Sequence, residues 1–189
     1  MGVALADAAS EYGGDVDLVL GPVNIRPENK SIRITNVTTA ESMAAACISR
    51  FSACDIAILA AAVADFTPVM PADKKMKRGN EDLILKLKPT KDIAKILGMS
   101  KKKSQIVAGF ALETDNELEK AKAKLEGKNL DLIILNSLKD KGAGFEYDTN
   151  RITIIDRNNI IDKFELKTKE EAARDILDKI ITMVNSLPE

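Results

Sequence analysis

The sequence predicts an α/β fold of the Rossmann-like, doubly wound kind: a mostly parallel sheet with helices on both faces and an antiparallel hairpin at its C-terminal end. Three observations carry that prediction. The runs "DIAILAAAV", "QIVAGFAL" and "DLIILN" are continuous and apolar, as strands buried on both faces require. Segments of helical length and pattern separate them, which is the alternation that builds a parallel sheet. Near the end, "RITIID" and "IIDKFEL" flank Arg157-Asn158-Asn159, a hairpin signal.

The elements follow in order. Gly2 to Tyr12 reads as a helix stopped by Gly13-Gly14. "DVDLVLG" is a short strand ending at Gly21-Pro22, and "SIRITNV" alternates as a strand. "TTAESMAAACISRF" is a helix capped by Thr38 or Thr39. After "DIAILAAAV" comes a basic loop, then "DLILKLK", whose strict alternation suggests a half-exposed strand. "PTKDIAKILG" is a short helix between Pro89 and Gly98, and "TDNELEKAKAKLEGK" a charged helix starting near Thr114 or Asp115. "TKEEAARDILDKIITMVNSL" closes the chain as a helix with a Thr168-x-x-Glu171 capping box. A doubly wound sheet usually opens with a strand feeding a phosphate-binding turn. This chain opens on a helix, so an N-terminal strand and phosphate loop are expected to be missing from it.

Composition narrows the function classes. The 189 residues, 45% of them apolar, suit one domain over 1–189 with a proper core. No apolar run approaches the ~20 residues of a membrane span. The opening "MGVALADAASEYGG" lacks the pattern of a signal peptide, so the expected setting is cytoplasmic, with no membrane partner. Cys47 and Cys54 read as free thiols. The chain has no histidine, which removes Ser-His-Asp and Cys-His nucleophiles and histidine metal sites. Lysines, carboxylates and backbone amides remain, an inventory suited to charge stabilisation in transfers at phosphorus. Neither G-x-G-x-x-G nor G-x-x-x-x-G-K-[ST] occurs, which disfavours a standard dinucleotide dehydrogenase and a P-loop nucleotidase.

Charge is unevenly spread. Residues 74–103 hold 11 of the 28 Lys and Arg but 3 of the 29 Asp and Glu, a local +8 against −9 elsewhere. Lys74, Lys75, Lys77 and Arg78 fall within five consecutive positions. A whole-protein nucleic-acid binder is usually basic overall, so the pattern better suits a compact anionic ligand.

Ligands of open α/β sheets bind beyond the carboxyl ends of the strands. Those ends are "VADF", with Asp65 and Phe66; "GFALET", with Gly109, Phe110, Glu113 and Thr114; and "NSLKDKGAGF", with Asn136. A phenyl ring there could pack on a planar base, and a lysine loop could cover an anionic tail. Each residue also has an ordinary reading. The lysine loop could be solvated surface, Asp65 or Asn136 a turn residue, Phe110 core, and Glu113-Thr114 a helix start.

Taken in order, "AAAVADF", "PADKKMKR", "GFALET", "AKAKLEGKNLDLIILN" and "GFEYDTNRITII" resemble phosphopantothenate–cysteine ligase, the synthetase half of the bifunctional coenzyme A biosynthesis flavoprotein of bacteria. The resemblance implies a homodimer and a two-step reaction with CTP, 4′-phosphopantothenate and cysteine, passing through an acyl-cytidylate, with magnesium on the triphosphate. It implies a flap at about 66–82 carrying a catalytic, nucleotide-contacting Lys75. It also implies nucleotide contacts at Ala64, Asp65, Phe66, Phe110, Lys124 and Lys128, and a substrate contact at Asn136. Ser137 stands where the family has an aspartate. The family's flavin-dependent decarboxylase half has no counterpart here, so no flavin is expected in this chain, and a chain lacking the opening loop is expected to be impaired alone. Two other readings stay open: a non-catalytic nucleotide-binding or scaffold subunit, and a nucleic-acid module using residues 74–103.

Overall fold

The computed structural model describes residues 1–72, 74–78, 82–113, 115–137 and 148–186. Helix α1, Gly2–Glu11, ends where Gly13 takes a left-handed φ of 85°, a conformation glycine adopts without steric cost. Strand β1, Asp17–Leu20, pairs in parallel with β2, Arg33–Asn36. Thr39 then opens α2, Ala40–Phe51, through a capping box with Ser42.

The central sheet has five strands in the order β10-β9-β7-β6-β3. Strands β3 (Ile56–Leu59), β6 (Ile106–Glu113) and β7 (Leu132–Ser137) run parallel. Strand β9, Ile152–Asp156, is antiparallel to β7, and β10, Ile161–Lys163, completes the expected hairpin. Helices α3 (Ile93–Ser100) and α4 (Glu117–Gly127) are the crossovers on either side of β6. A second short pair, β8 (Thr149–Asn150) with β11 (Lys167–Thr168), leads into α5, Lys169–Asn185, whose Thr168–Glu171 capping box forms as read from sequence.

Alternation along the strands divides the core into two layers. Ile106, Ala108, Leu132, Ile134, Ile152 and Ile154 face α1 and α5, packing with Leu5, Ala173 and Ile176. Val107, Ala111, Ile133, Leu135 and Ile155 face the other way, onto Ala44 and Phe51 of α2, Leu97 of α3 and Ala121 and Leu125 of α4. The doubly wound, mostly parallel architecture is therefore the one expected.

Three elements depart from the sequence reading. The apolar run "DIAILAAAV" is strand only to Leu59, because the chain then leaves the sheet for a two-stranded arm, β4 (Phe66–Pro68) paired with β5 (Leu87–Pro89). "DLILKLK" is strand only over its last residues. Leu83, Ile84 and Leu85 are exposed, Ile84 at 91%, so the alternation has no covered face to report. Helix α4 starts at Glu117 behind Asn116, whose φ is 46°, and Asp115 lies before it. Thr114, residues 73 and 79–81 of the expected flap, and the Gly-containing loop at 138–147 lie outside the described residues.

The N-terminal rim of the sheet is pinned by one buried carboxylate. Asp131, before β7, accepts from the Lys101 ammonium at 2.5 Å and from the Val107 N–H at 2.9 Å, with Arg157 at 3.1 Å. The two side chains of the Lys101–Asp131 pair are 8% and 4% exposed. Among the described residues no helix is long and apolar enough to cross a membrane.

Candidate functional site

The opposite rim, where β3, β6 and β7 end, gathers most of the residues singled out from sequence. Beyond β3 the chain runs through Ala64 and Asp65 into the arm. Thr90, just after β5, ties that stretch down: its hydroxyl donates to the Ala64 carbonyl at 2.6 Å and its N–H to the Asp65 carbonyl at 2.9 Å. The arm's two ends are thus joined at its root.

Two residues on, Asp92 caps α3 by accepting from the Lys95 N–H at 3.0 Å. The Lys128 ammonium, at the end of α4, reaches the same carboxylate at 3.0 Å. Burial opposes ionisation of Asp92, but the Lys95 N–H and the Lys128 ammonium outweigh it and hold its pKa below the ordinary value. Lys124, one turn before Lys128, donates instead to Glu113 at the end of β6, at 2.5 Å. The two lysines share a helix face at i and i+4, yet they anchor to two different acidic residues.

Packing sets this geometry. A β-carbon on Gly98 of α3 would fall 2.0 Å from the Lys128 carbonyl oxygen, so only glycine lets α3 approach the last turn of α4 so closely. Asn129 reinforces the contact by donating from Nδ2 to the Gly98 carbonyl at 2.7 Å.

Phe110 and Asn136 project from the other side of the sheet. Phe110 is half-buried against the layer that faces α1 and α5. Asn136 continues the Leu132–Ile134 face of β7 and accepts from Asn150 Nδ2 at 3.1 Å. The structure therefore splits the candidates. Ala64, Asp65, Lys124 and Lys128 join the network around α3 and α4, while Phe110 and Asn136 lie across the sheet edge. A ligand meeting both sets would straddle the rim.

Phe66 is 60% exposed on the arm. Lys75 is exposed in the segment that links the arm's strands, and no side-chain hydrogen bond or ion pair joins it to another described residue.

The sequence reading did not include Thr90, Lys91, Asp92 or the start of α2. A groove runs between Thr39, Ala40 and Glu41 on one side and Thr67, Lys88 and Thr90 on the other. Glu41 and Lys91 pair across it at 2.8 Å. The capping signals in "TTAES" and "PTKDI" mark both helix starts, and helix starts at a sheet's carboxyl rim are where anions bind.

Among the described residues no three His, Cys, Asp or Glu cluster to hold a metal ion.

A sequence profile for the DNA/pantothenate metabolism flavoprotein C-terminal domain matches residues 1–184. The chain belongs to this family. Its relatives include a protein of an unknown prokaryotic organism named cysteine/cysteine sulfinic acid decarboxylase, 59% identical over 98% of this chain and 52% of its own length. The coenzyme A biosynthesis bifunctional protein CoaBC of Bacillus subtilis is 42% identical over 97% of this chain and 45% of its own. The chain thus spans about half the length of these curated relatives. A crystal structure of a CoaBC C-terminal domain superposes with a TM-score of 0.80 at 35% identity, covering 97% of this chain and 83% of that one. The family fold and the mostly parallel sheet described above are therefore the same architecture.

Proposed function

We propose that this chain is the synthetase part of a CTP-dependent phosphopantothenate–cysteine ligase of coenzyme A biosynthesis, working in the cytoplasm. The observation that carries the reading is the 42% identity to the Bacillus subtilis CoaBC protein over 97% of the chain. The junction of Ala64–Asp65, Thr90–Asp92 and Lys128 at the carboxyl rim supports it.

In this reading the Phe110 ring packs against the cytosine, and Ala64, Asp65 and Phe66 line the nucleotide on the arm side. Lys124 and Lys128 leave their carboxylate partners to meet ribose or phosphate. The 4′-phosphopantothenate carboxylate attacks the α-phosphorus of CTP. A new O–P bond forms as the bond to the β-phosphate oxygen breaks, and pyrophosphate leaves. The cysteine amine then attacks the acyl carbon, CMP departs with the electron pair of the C–O bond, and the amine proton is lost to solvent. Asn136 holds the pantothenate part. Lys75, on a flap spanning about 66–82, folds over the phosphates as negative charge develops, a role suited to a point-charge donor on a flexible stem. Magnesium on the triphosphate would supply further charge neutralisation, and Asp65, an exposed carboxylate at this rim, would be able to offer it an oxygen.

The exposed apolar strip Leu83, Ile84, Leu85 and Leu87 on the arm is the surface we assign to homodimerisation, since a patch of this kind marks an interface. A linked flavin-dependent decarboxylase part would act on the ligation product. The relative named as a decarboxylase is a protein about twice this length, and in this reading a decarboxylase activity lies outside the half that this chain matches.

The test uses the full-length gene product containing this chain. Pyrophosphate release from CTP and 4′-phosphopantothenate is measured with and without cysteine. Release in both conditions, with the amide product only when cysteine is present, is the expected result. No release in either condition rejects the ligase.

A further inference from the structure

Asn150 lies on β8 with only 3% of its surface exposed, an unusual place for a side-chain amide. Its backbone is fixed opposite Lys167 of β11. In the β7–β9 pairing Asn136 faces Ile152, so Asn150, two residues earlier, is its diagonal neighbour on the same face. Asn150 Nδ2 donates to Asn136 Oδ1 at 3.1 Å. Among the described residues Asn150 Oδ1 is buried without a hydrogen-bond partner, and a buried acceptor left unpaired is costly.

The hydrogen bond commits both amides. With Asn136 Oδ1 taken as acceptor, Asn136 has its Nδ2 to offer. Asn150, having spent an N–H on Asn136, has its Oδ1 to offer. One donor and one acceptor side by side match the two faces of a secondary amide, whose N–H donates and whose carbonyl accepts. We propose that Asn150 and Asn136 together form an amide-reading subsite. In it Asn150 Oδ1 accepts the amide N–H of a pantothenate-type chain, and Asn150 Nδ2 holds Asn136 in the orientation that meets the amide carbonyl. The inference rests on the ligase reading and adds Asn150 to it.

The test is calorimetric titration of the full-length gene product with 4′-phosphopantothenate, with its ester analogue in which oxygen replaces the amide N–H, and with CTP. Wild type is expected to bind the amide about ten times more tightly than the ester, the size of effect expected when a buried acceptor loses its donor. Asn150→Leu removes the unpaired acceptor, so it is expected to melt no lower than wild type. It should bind amide and ester equally weakly and keep its affinity for CTP. Asn150→Asp keeps an acceptor but cannot donate to Asn136, and is expected to lose affinity for both pantothenate ligands.

Equal wild-type affinity for amide and ester overturns the inference without any variant. So does an Asn150→Leu protein that still discriminates them, or that loses CTP binding in parallel. Absence of 4′-phosphopantothenate binding by wild type overturns the ligase reading and this inference with it.

Discussion

The Lys128 ammonium lies 3.0 Å from the Asp92 carboxylate, joining the last turn of α4 to the cap of α3. Thr90, two residues before Asp92, holds the Ala64 carbonyl, so this one contact links α4 to the root of the arm. The rim thereby ties together the two crossover connections on either side of β6. A nucleotide that draws Lys128 away from Asp92 would also release one restraint on the start of α3.

Gly98 sets the distance across which that pair forms. Gly98→Ala places a methyl group against the Lys128 carbonyl, 2.0 Å from where its β-carbon would stand. Overpacking against backbone is expected to cost about 3 kcal/mol, read as a lower urea midpoint with an unchanged slope. An unchanged midpoint would mean that α3 and α4 separate freely.

Lys75 tests the flap. In the full-length gene product, Lys75→Gln is expected to keep its affinity for CTP while turnover falls by roughly 10²–10³, the loss seen when a donor to developing charge is removed. Steady-state kinetics beside a CTP binding titration separates the two quantities. Unchanged turnover would remove Lys75 from the reaction.

Asp92 gives a pH dependence of defined sign. Its folded pKa is held below the ordinary value of 3.8, so its contribution to stability is fully present above that value. It is lost as pH falls through the lower folded pKa. Acid titration followed by amide exchange at α3 is expected to show the Lys95 N–H losing protection in that window. Asp92→Asn, which cannot change charge, is expected to abolish that dependence.

At the other rim, Asp131→Asn leaves the Lys101 ammonium buried without its counter-charge. Breaking one half of such a pair typically costs about 3–5 kcal/mol. Burial already lowers the Lys101 pKa against the opposing pull of Asp131, so losing the carboxylate pushes it further down. The double variant Lys101→Met with Asp131→Asn is expected to be more stable than Asp131→Asn alone, by thermal melting. Equal stability of the two would show that the ammonium is solvated.

How much of this was legible beforehand depended on whether the signal was local. The Thr168–Glu171 box marks the start of α5 because both partners lie within one turn. The run "QIVAGFAL" becomes β6 because strands buried on both faces need continuous apolar sequence. "DLILKLK" misled because alternation states that one face is apolar, not that anything covers it. The pairs that organise the rim were not legible. Lys128 and Asp92 are 36 positions apart and Asn150 and Asn136 are 14 apart; the packing of two crossover helices brings the first pair together and the antiparallel β7–β9 pairing the second. Sequence placed Phe110 and Lys124 in one site by resemblance. That they lie on opposite sides of the sheet follows from strand parity and helix placement, which appear once β6 is registered against β7.

The central claim is that CTP binds at the carboxyl rim, across the sheet edge. Its most direct test is a titration of this chain with magnesium and CTP, followed by backbone amide shifts. The account predicts shifts concentrated at Ala64–Phe66, Thr90–Asp92, Phe110 and Lys124. Shifts confined to the groove at the other rim, lined by Leu125, Arg157 and Asn159, or no shifts at millimolar CTP, would contradict it.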